Sequence, residues 1–289
     1  MRGKMRAKKI KETNPMSVKK GEAVFCYCIM LIICLIALFP ILWVFISSFK
    51  ADLLAEPGFS LPSSIHADGY VRVFTKLGIG TYFMNSFICA TLGTMISITM
   101  LSMAAYVVAR FKFPGRGLIT AAFMATMFVP PSALTFPIYN LVKRFNLFNT
   151  RTGLVFVYAC IGIAISFMVI RNYFAIIPTE LDEAARIDGC TYWQNFAKVI
   201  LPIARPGIMT AAILNWLQLW NEFYWSSLLI IDRSKMTVPA ILSQFTTSFR
   251  TDYNGLLSAI VVIIIPPIVI FCLFSKYFIE ALSGGAVKG

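Results

Sequence analysis

Asn215, Gln218, Glu222 and Ser226 stand three, four and four residues apart in a stretch otherwise dominated by Ile, Leu, Trp and Phe. On an α-helix that spacing puts all four on one face. Ala211 extends the row by one turn. Amides, a carboxylate and a hydroxyl in such surroundings can do one kind of chemistry, which is hydrogen bonding away from bulk water. Two partners fit. A polar solute moving along the face would make the row the lining of a translocation path or of a seam between subunits. Neighbouring helices would make it glue, with Asn and Gln bonding across to them.

Bond-breaking chemistry has no comparable support. The chain pairs no nucleophile with a base, sets no two carboxylates on one helix face, and clusters no metal ligands. Its single histidine, His66, has no Cys or carboxylate cluster nearby and reads as surface. Cys26, Cys28, Cys34, Cys89, Cys160, Cys190 and Cys272 fall in apolar stretches or in a charged knob, so no disulfide framework is expected. No phosphate loop of the form GxxxxGK[ST] occurs, so the chain cannot itself be a P-loop motor. The expectation is a protein that is not an enzyme, with no catalytic residues, metal or cofactor.

The charged knob is the second informative group, at residues 179–206. Its pattern is that of two short helices with a tight joint. Pro178 bars continuation of any preceding helix. Thr179 and Asp182 have capping-box spacing, and Glu180, Asp182 and Glu183 load the first turn with the acid that a helix N-terminus favours. Gly189 sits where the chain must turn, since glycine takes positive φ at little cost. Thr191 and Gln194 repeat the box for a second helix, which Leu201 and Pro202 close. Ala184 and Ala185 together form a shallow face on which another protein's surface could approach the backbone closely.

These groups must be positioned by membrane helices. Of 289 residues, 58% are apolar and only 13% charged, against about one quarter charged in soluble proteins. A span needs about 20 mostly apolar residues. Long charge-free runs predict six spans at about 24–48, 82–109, 118–142, 153–172, 207–230 and 254–279, the fifth continuous only if Glu222 is accepted inside it. Pro40, Pro130-Pro131, Pro137 and Pro266-Pro267 are tolerable in such helices and should kink them. Gly93 and Ser97 have the spacing of close helix contact, and Gly162, Ala164 and Ser166 suit a helix buried among others.

The net charge of +13 follows from topology rather than from nucleic-acid binding. Residues 1–21 form a tail with eight Lys or Arg, and placing it in the cytoplasm puts 110–116, the knob and the C-terminal end inside too. Most of the basic residues are then cytoplasmic, as the positive-inside rule requires, although Lys143, Arg144 and Arg151 violate it locally. The first apolar run is too long for a cleaved signal and reads as a retained anchor. The fold class expected is all-α integral membrane, with six transmembrane helices, both termini cytoplasmic, and a cytoplasmic helical loop between spans four and five, which the resemblance described next implies is a coupling helix. Residues 22–289 form its one transmembrane domain, in the cell membrane.

Glu183-Ala184-Ala185, Ile187-Asp188-Gly189, Phe196, Ile200-Leu201-Pro202 and Pro206 resemble the EAA loop of ABC importer permeases. In that family the loop is a coupling helix seated in a cleft of a cytoplasmic ATPase. The resemblance therefore implies ATPase coupling through Glu183, Ala184, Ala185, Asp188, Gly189, Leu201 and Pro202. The six-span length, Trp220-Asn221-Glu222-Phe223 and the ending Gly284-Gly285-Ala286-Val287-Lys288-Gly289 resemble carbohydrate permeases, most of all the second permease subunit of maltose-type importers. That likeness covers about residues 22–289 and leaves the basic tail unmatched.

It implies a permease subunit of an ATP-driven importer for a sugar or oligosaccharide. The implied partners are a second homologous permease, two cytoplasmic ATP-binding subunits and an external solute-binding protein facing the loop at 232–252. In that family the partner permease makes most sugar contacts, so Asn215, Gln218, Glu222 and Ser226 are expected to line the path without setting specificity. The rings of Trp216, Trp220, Phe223, Tyr224 and Trp225 suit a headgroup-depth belt, Tyr224 and Trp225 above all; rings beside hydroxyl-binding groups also suit a sugar. Two alternatives stay open. One is an ABC permease for a non-sugar solute, and the other is an ion-coupled transporter using Glu222, the one intramembrane acid.

Overall fold

The computed structural model describes residues 20–51, 53, 56, 58–245 and 252–286, and every regular element among them is helical. Most of the basic tail, part of the 232–252 loop and the last three residues lie outside that range.

Helix α1 (Lys20–Ser47) is 28 residues long, about 42 Å, and comfortably exceeds the hydrocarbon thickness of a bilayer. It is apolar all round, and its sides remain exposed to whatever surrounds the bundle. Its end, by contrast, is fastened. Asn254 Nδ2 donates to the carbonyls of Ser48 (3.1 Å) and Lys50 (2.7 Å), and Ser48 Oγ meets Tyr70 OH at 2.7 Å.

The bundle is built on α2 (Ile79–Arg110), which packs against the helices at 151–159, 163–176 and 205–220. Its buried residues include Ser86, Cys89, Ala90, Gly93, Ser97, Leu101, Ala105 and Val108, a stripe at helical spacing. Small side chains along it let backbones come close, as Gly93 and Ser97 predicted. A Cβ on Gly93 would lie 2.8 Å from that of Tyr158 and 3.1 Å from Leu219 Cδ1.

Two of the expected spans are broken rather than kinked. The third splits into α3 (Arg116–Ala125) and α4 (Thr135–Arg144), with the segments around them meeting at 101°. Val129 is extended because Pro130 disfavours the helical region before it, and Pro130 is extended in turn before Pro131. The fourth splits into α5 (Arg151–Ala159) and α6 (Ile163–Ile176), bent by 50° at Gly162, which has φ +71. In α6, Ala164 and Ser166 are buried, as their size suggested.

The knob's first helix, α7 (Glu180–Ile187), follows. Tyr192–Ile203 then turns by 76° into α8 (Arg205–Trp220). The fifth span is not the continuous helix expected: α8 stops at Trp220 and a short α9 (Tyr224–Leu229) restarts beyond Asn221–Phe223.

The last helix, α10 (Tyr253–Ala286), continues without a break through Pro266 and Pro267. Pro267 cannot donate to the Ile263 carbonyl four residues back. That carbonyl accepts from Trp220 Nε1 instead, at 3.3 Å, so a neighbouring helix satisfies the freed group. Among the described residues, three helices are long and apolar enough to cross a membrane alone, and up to six if each bent pair counts as one span.

Candidate functional site: the knob and the broken-helix cleft

The knob begins because α6 cannot go on: Ile177 is extended ahead of Pro178. Three acids fill the first turn of α7, but its start is not the capping box expected from Thr179 and Asp182. Thr179 has helical backbone angles and its side chain caps nothing. The Asp182 carboxylate is taken elsewhere, by Arg110 and Asn195.

The joint after α7 is a Schellman turn. Gly189 donates to the Arg186 carbonyl at 3.0 Å and Cys190 to that of Ala185 at 2.9 Å, with Gly189 at φ +80. The second box is present in full: Gln194 N donates to Thr191 Oγ1 (3.2 Å) and Thr191 N to Gln194 Oε1 (2.9 Å). Arg186 lies over the Tyr192 ring at 5.0 Å, joining the two halves.

Glu183, Ala184, Asp188, Gly189 and Pro202 are exposed, whereas Leu201 is half-buried. Ala185 is buried and points into the bundle, so the two alanines do not share a face and only Ala184 contributes to the surface. The largest exposed apolar groups there are Ile187, Tyr192 and Trp193.

Beneath the knob lies a contact that the sequence did not announce. Arg110, at the end of α2, has a side chain 4% exposed and reaches Asp182 Oδ2 at 2.8 Å. Its Nη1 and Nη2 also donate to the carbonyls of Ile177 (2.7 Å) and Pro178 (3.1 Å). Asn195 Nδ2 donates to Asp182 Oδ1 at 2.6 Å and to Tyr106 OH at 3.3 Å. Tyr106 stands among Phe111, Phe174 and Phe196. Arg110 reads as a topogenic charge when only local sequence is considered, and its partners lie some seventy residues away.

The polar row of span five is divided by the end of α8. Asn215 and Gln218 share a face that meets the break between α5 and α6. Asn215, fully buried, donates to the Ile161 carbonyl at 2.9 Å, and its own Oδ1 has no partner. Gln218 borders a cleft of about 560 Å³, which the α3–α4 bend lines with Met127, Val129 and Leu134 and the α5–α6 break with Cys160 and Gly162.

Glu222 and Ser226 do not continue that face, because the helix has ended. Glu222 folds over the start of α9, accepting from Trp225 N at 2.8 Å and Ser226 N at 3.1 Å. The Ser226 hydroxyl is buried against Thr237 Oγ1 at 2.6 Å. The cleft therefore presents one side-chain amide among largely apolar walls.

The rings also depart from expectation. Trp216 and Trp220 stack with centroids 5.0 Å apart and, with Trp225, are buried in the core rather than set in a belt. Tyr224 is exposed and hydrogen-bonded to Thr135. Among the described residues no group of His, Cys, Asp or Glu could hold a metal, and the cysteines are unbridged.

Residues 101–284 match the family model described as the inner membrane component of binding-protein-dependent transport systems. The probable ABC transporter permease YurM of Bacillus subtilis is 36% identical over 263 residues, 90% of this chain and 87% of its own. The trehalose transport system permease SugB of Mycobacterium tuberculosis is 36% identical, covering 88% and 93%. The diacetylchitobiose uptake permease NgcG of Streptomyces coelicolor is 33% identical, covering 92% and 89%. Among solved structures, a chain of a bacterial ABC transporter that imports the acidic polysaccharide alginate superposes with a TM-score of 0.75 at 26% identity, covering 90% of this chain and 99% of that one.

Proposed function

The chain belongs to the family of binding-protein-dependent transport inner membrane components, and on that premise we propose that it is a permease subunit of an ATP-driven importer for a sugar or oligosaccharide. The observation that carries the mechanism is the knob: a short acidic helix, stopped by a Schellman turn, exposed on one side and clamped to the bundle on the other. Such a surface is preorganised for docking, because little ordering entropy remains to be lost when a partner binds.

In this reading the knob faces the cytoplasm and seats in a separate ATPase subunit through Glu183, Ala184, Asp188 and Gly189. Ala185, Leu201 and Pro202 shape it from behind and below. Six spans, three of them bent or interrupted, bring both termini to the cytoplasmic side. A second permease of similar fold completes the path, two ATPase subunits drive it, and an external binding protein delivers solute near the loop at 232–252. Gln218 lines this chain's share of the path, and Asn215 holds the α5–α6 break behind it.

Sugar as the cargo rests on the trehalose and diacetylchitobiose permeases among the relatives. An ion-coupled alternative has less support, since Glu222 accepts amides at the start of α9 and does not line the cleft.

The test is Glu183→Lys in the reconstituted transporter. It should insert and assemble, yet lose substrate-stimulated ATP hydrolysis and uptake. Full uptake by this variant would overturn the coupling assignment. Sugar-loaded binding protein that stimulates neither hydrolysis nor uptake in the wild type would overturn the cargo.

A further inference from the structure

Helix α2 ends in hydrogen-bonded clasps on both sides of the bundle. At the knob end, Arg110 holds the Ile177 and Pro178 carbonyls just ahead of α7 and the Asp182 carboxylate within it. One turn back along the same helix, Tyr106 receives the Asn195 amide, which also binds Asp182. At the opposite end Asn85, 2% exposed, donates to the carbonyls of Ser234 and Met236, both at 2.9 Å. Beside it Ser86 Oγ accepts from Val238 N at 2.8 Å. Twenty-five residues separate Asn85 from Arg110, a rise of about 38 Å.

Between those ends α2 has no break. The α3–α4 segment, the α5–α6 segment and the α8–α9 segment each bend or restart. A displacement entering such elements can be absorbed at the joint. One entering α2 is passed on, since a continuous hydrogen-bonded helix is stiff along its axis.

The chemistry at the knob end fits a positioning role better than a stabilising one. A buried ion pair gives little net stability, because desolvation offsets the attraction, but its geometry is specific. The planar fork of Arg110 reaches two backbone carbonyls and a carboxylate at once, which a lysine cannot reproduce.

We infer that α2 is a strut that carries the position of the outer loop around 234–238 to the knob, with Arg110 and Asn85 as positioning residues at its two ends. This rests on the coupling reading above, and a contiguous network becomes a coupling path only when both ends are shown to bias the same output.

The experiment uses the complete transporter in nanodiscs and reads the ratio of binding-protein-stimulated to basal ATP hydrolysis. Arg110→Lys and Asp182→Asn should each lower that ratio by about tenfold, a usual size for coupling between sites. Their double variant should be no worse than either single, since both break one network. Asn85→Leu should lower the same ratio from the far end. ATPase subunits should still co-purify in each case. A merely structural role would reduce yield and melting temperature while leaving the ratio of the assembled complex untouched.

Glu183→Lys separates the two ideas. If Arg110→Lys and Asn85→Leu keep the wild-type ratio while Glu183→Lys loses it, the strut is overturned and the coupling reading stands. If Glu183→Lys also keeps it, the coupling reading itself has failed. Should the Arg110 and Asp182 variants not assemble, Asn85→Leu decides alone: a lowered ratio supports the strut and an unchanged one overturns it.

Discussion

A Cβ built on Gly162 would lie 2.5 Å from Gln218 Oε1 and 2.9 Å from Asn215 Nδ2. The break between α5 and α6 is thus pressed against the polar row of α8 with no space for a methyl group. Gly162 also has φ +71, where a side chain costs about 1–2 kcal/mol in backbone strain alone. Gly162→Ala should therefore lower the melting temperature in detergent and displace Gln218 from the cleft edge, reducing uptake in proteoliposomes. Wild-type uptake by this variant would remove Gln218 from the path.

Gly189 poses the opposite case, with nothing near its missing side chain and only its φ of +80 at stake. Asparagine tolerates that region better than branched or bulky residues do. Gly189→Leu should insert in the membrane and lose substrate-stimulated ATP hydrolysis, whereas Gly189→Asn should keep most of it. Equal loss by the two would show that a side chain at this site, and not backbone conformation, is what the contact rejects, and full activity of Gly189→Leu would refute the conformational account.

Trp220 fills the core, stacks on Trp216 and supplies the donor that Pro267 withholds from Ile263. Trp220→Phe keeps most of the volume and strands one carbonyl, at a cost of about 1–3 kcal/mol. Trp220→Ala adds a cavity and should cost about 3–5 kcal/mol. Thermal melting of the purified chain should rank them in that order. Phe and Ala variants of equal stability would refute the packing account.

Asn149 is a non-glycine residue at φ +57 whose Oδ1 accepts from the amides of Ile231 (3.1 Å) and Asp232 (2.9 Å). Asn149→Ala should make those two amides exchange about tenfold faster, the loss expected for a hydrogen bond of ordinary strength. Unchanged exchange would mean that the loop at 230–236 is held by other contacts.

The adjacent turn carries a pH signature. The Ser234 hydroxyl, then its amide, then Lys235, hold the Asp232 carboxyl below its usual range. A depressed pKa means that the contribution is full above the ordinary aspartate value of about 3.9 and is lost as pH falls through the lower one. Protection of the Ser234 amide, corrected for intrinsic exchange, should thus be level from pH 7 down to about 5 and fall only in stronger acid. Loss near neutrality would contradict this.

How much of this could be read beforehand varies by element. The knob was legible because its signals are local: Pro178 stops one helix, Gly189 turns the chain, and Thr191 with Gln194 closes a box of four residues. The same rule failed at Thr179, since Asp182 had a stronger partner in Arg110. Such competition is invisible when the partner is distant in sequence.

Six apolar stretches were legible from charge alone, but not their joints. Pro130-Pro131 breaks one helix while Pro266-Pro267 leaves another intact. The difference lies in Trp220, a donor from another element. The tryptophans of span five likewise suit a belt or a core equally well by composition, and tertiary packing put them in the core. The polar row lost Glu222 and Ser226 because α8 ends at Trp220, where Asn221 and Glu222 were read as part of a continuous helix and not as its stop.

The clasp on α1 constrains how the molecule is made. Its anchor residues, Ser48 and Lys50, are held by Asn254, more than two hundred positions later in the chain. During synthesis the first helix enters the lipid long before that partner has left the ribosome. The Asn254 part of the clasp can close only once Tyr253–Ala286 has been made, whereas the Ser48–Tyr70 contact can form early. The end of α1 is thus fastened by two contacts that become possible at very different points of synthesis, one to Tyr70 and one to Asn254.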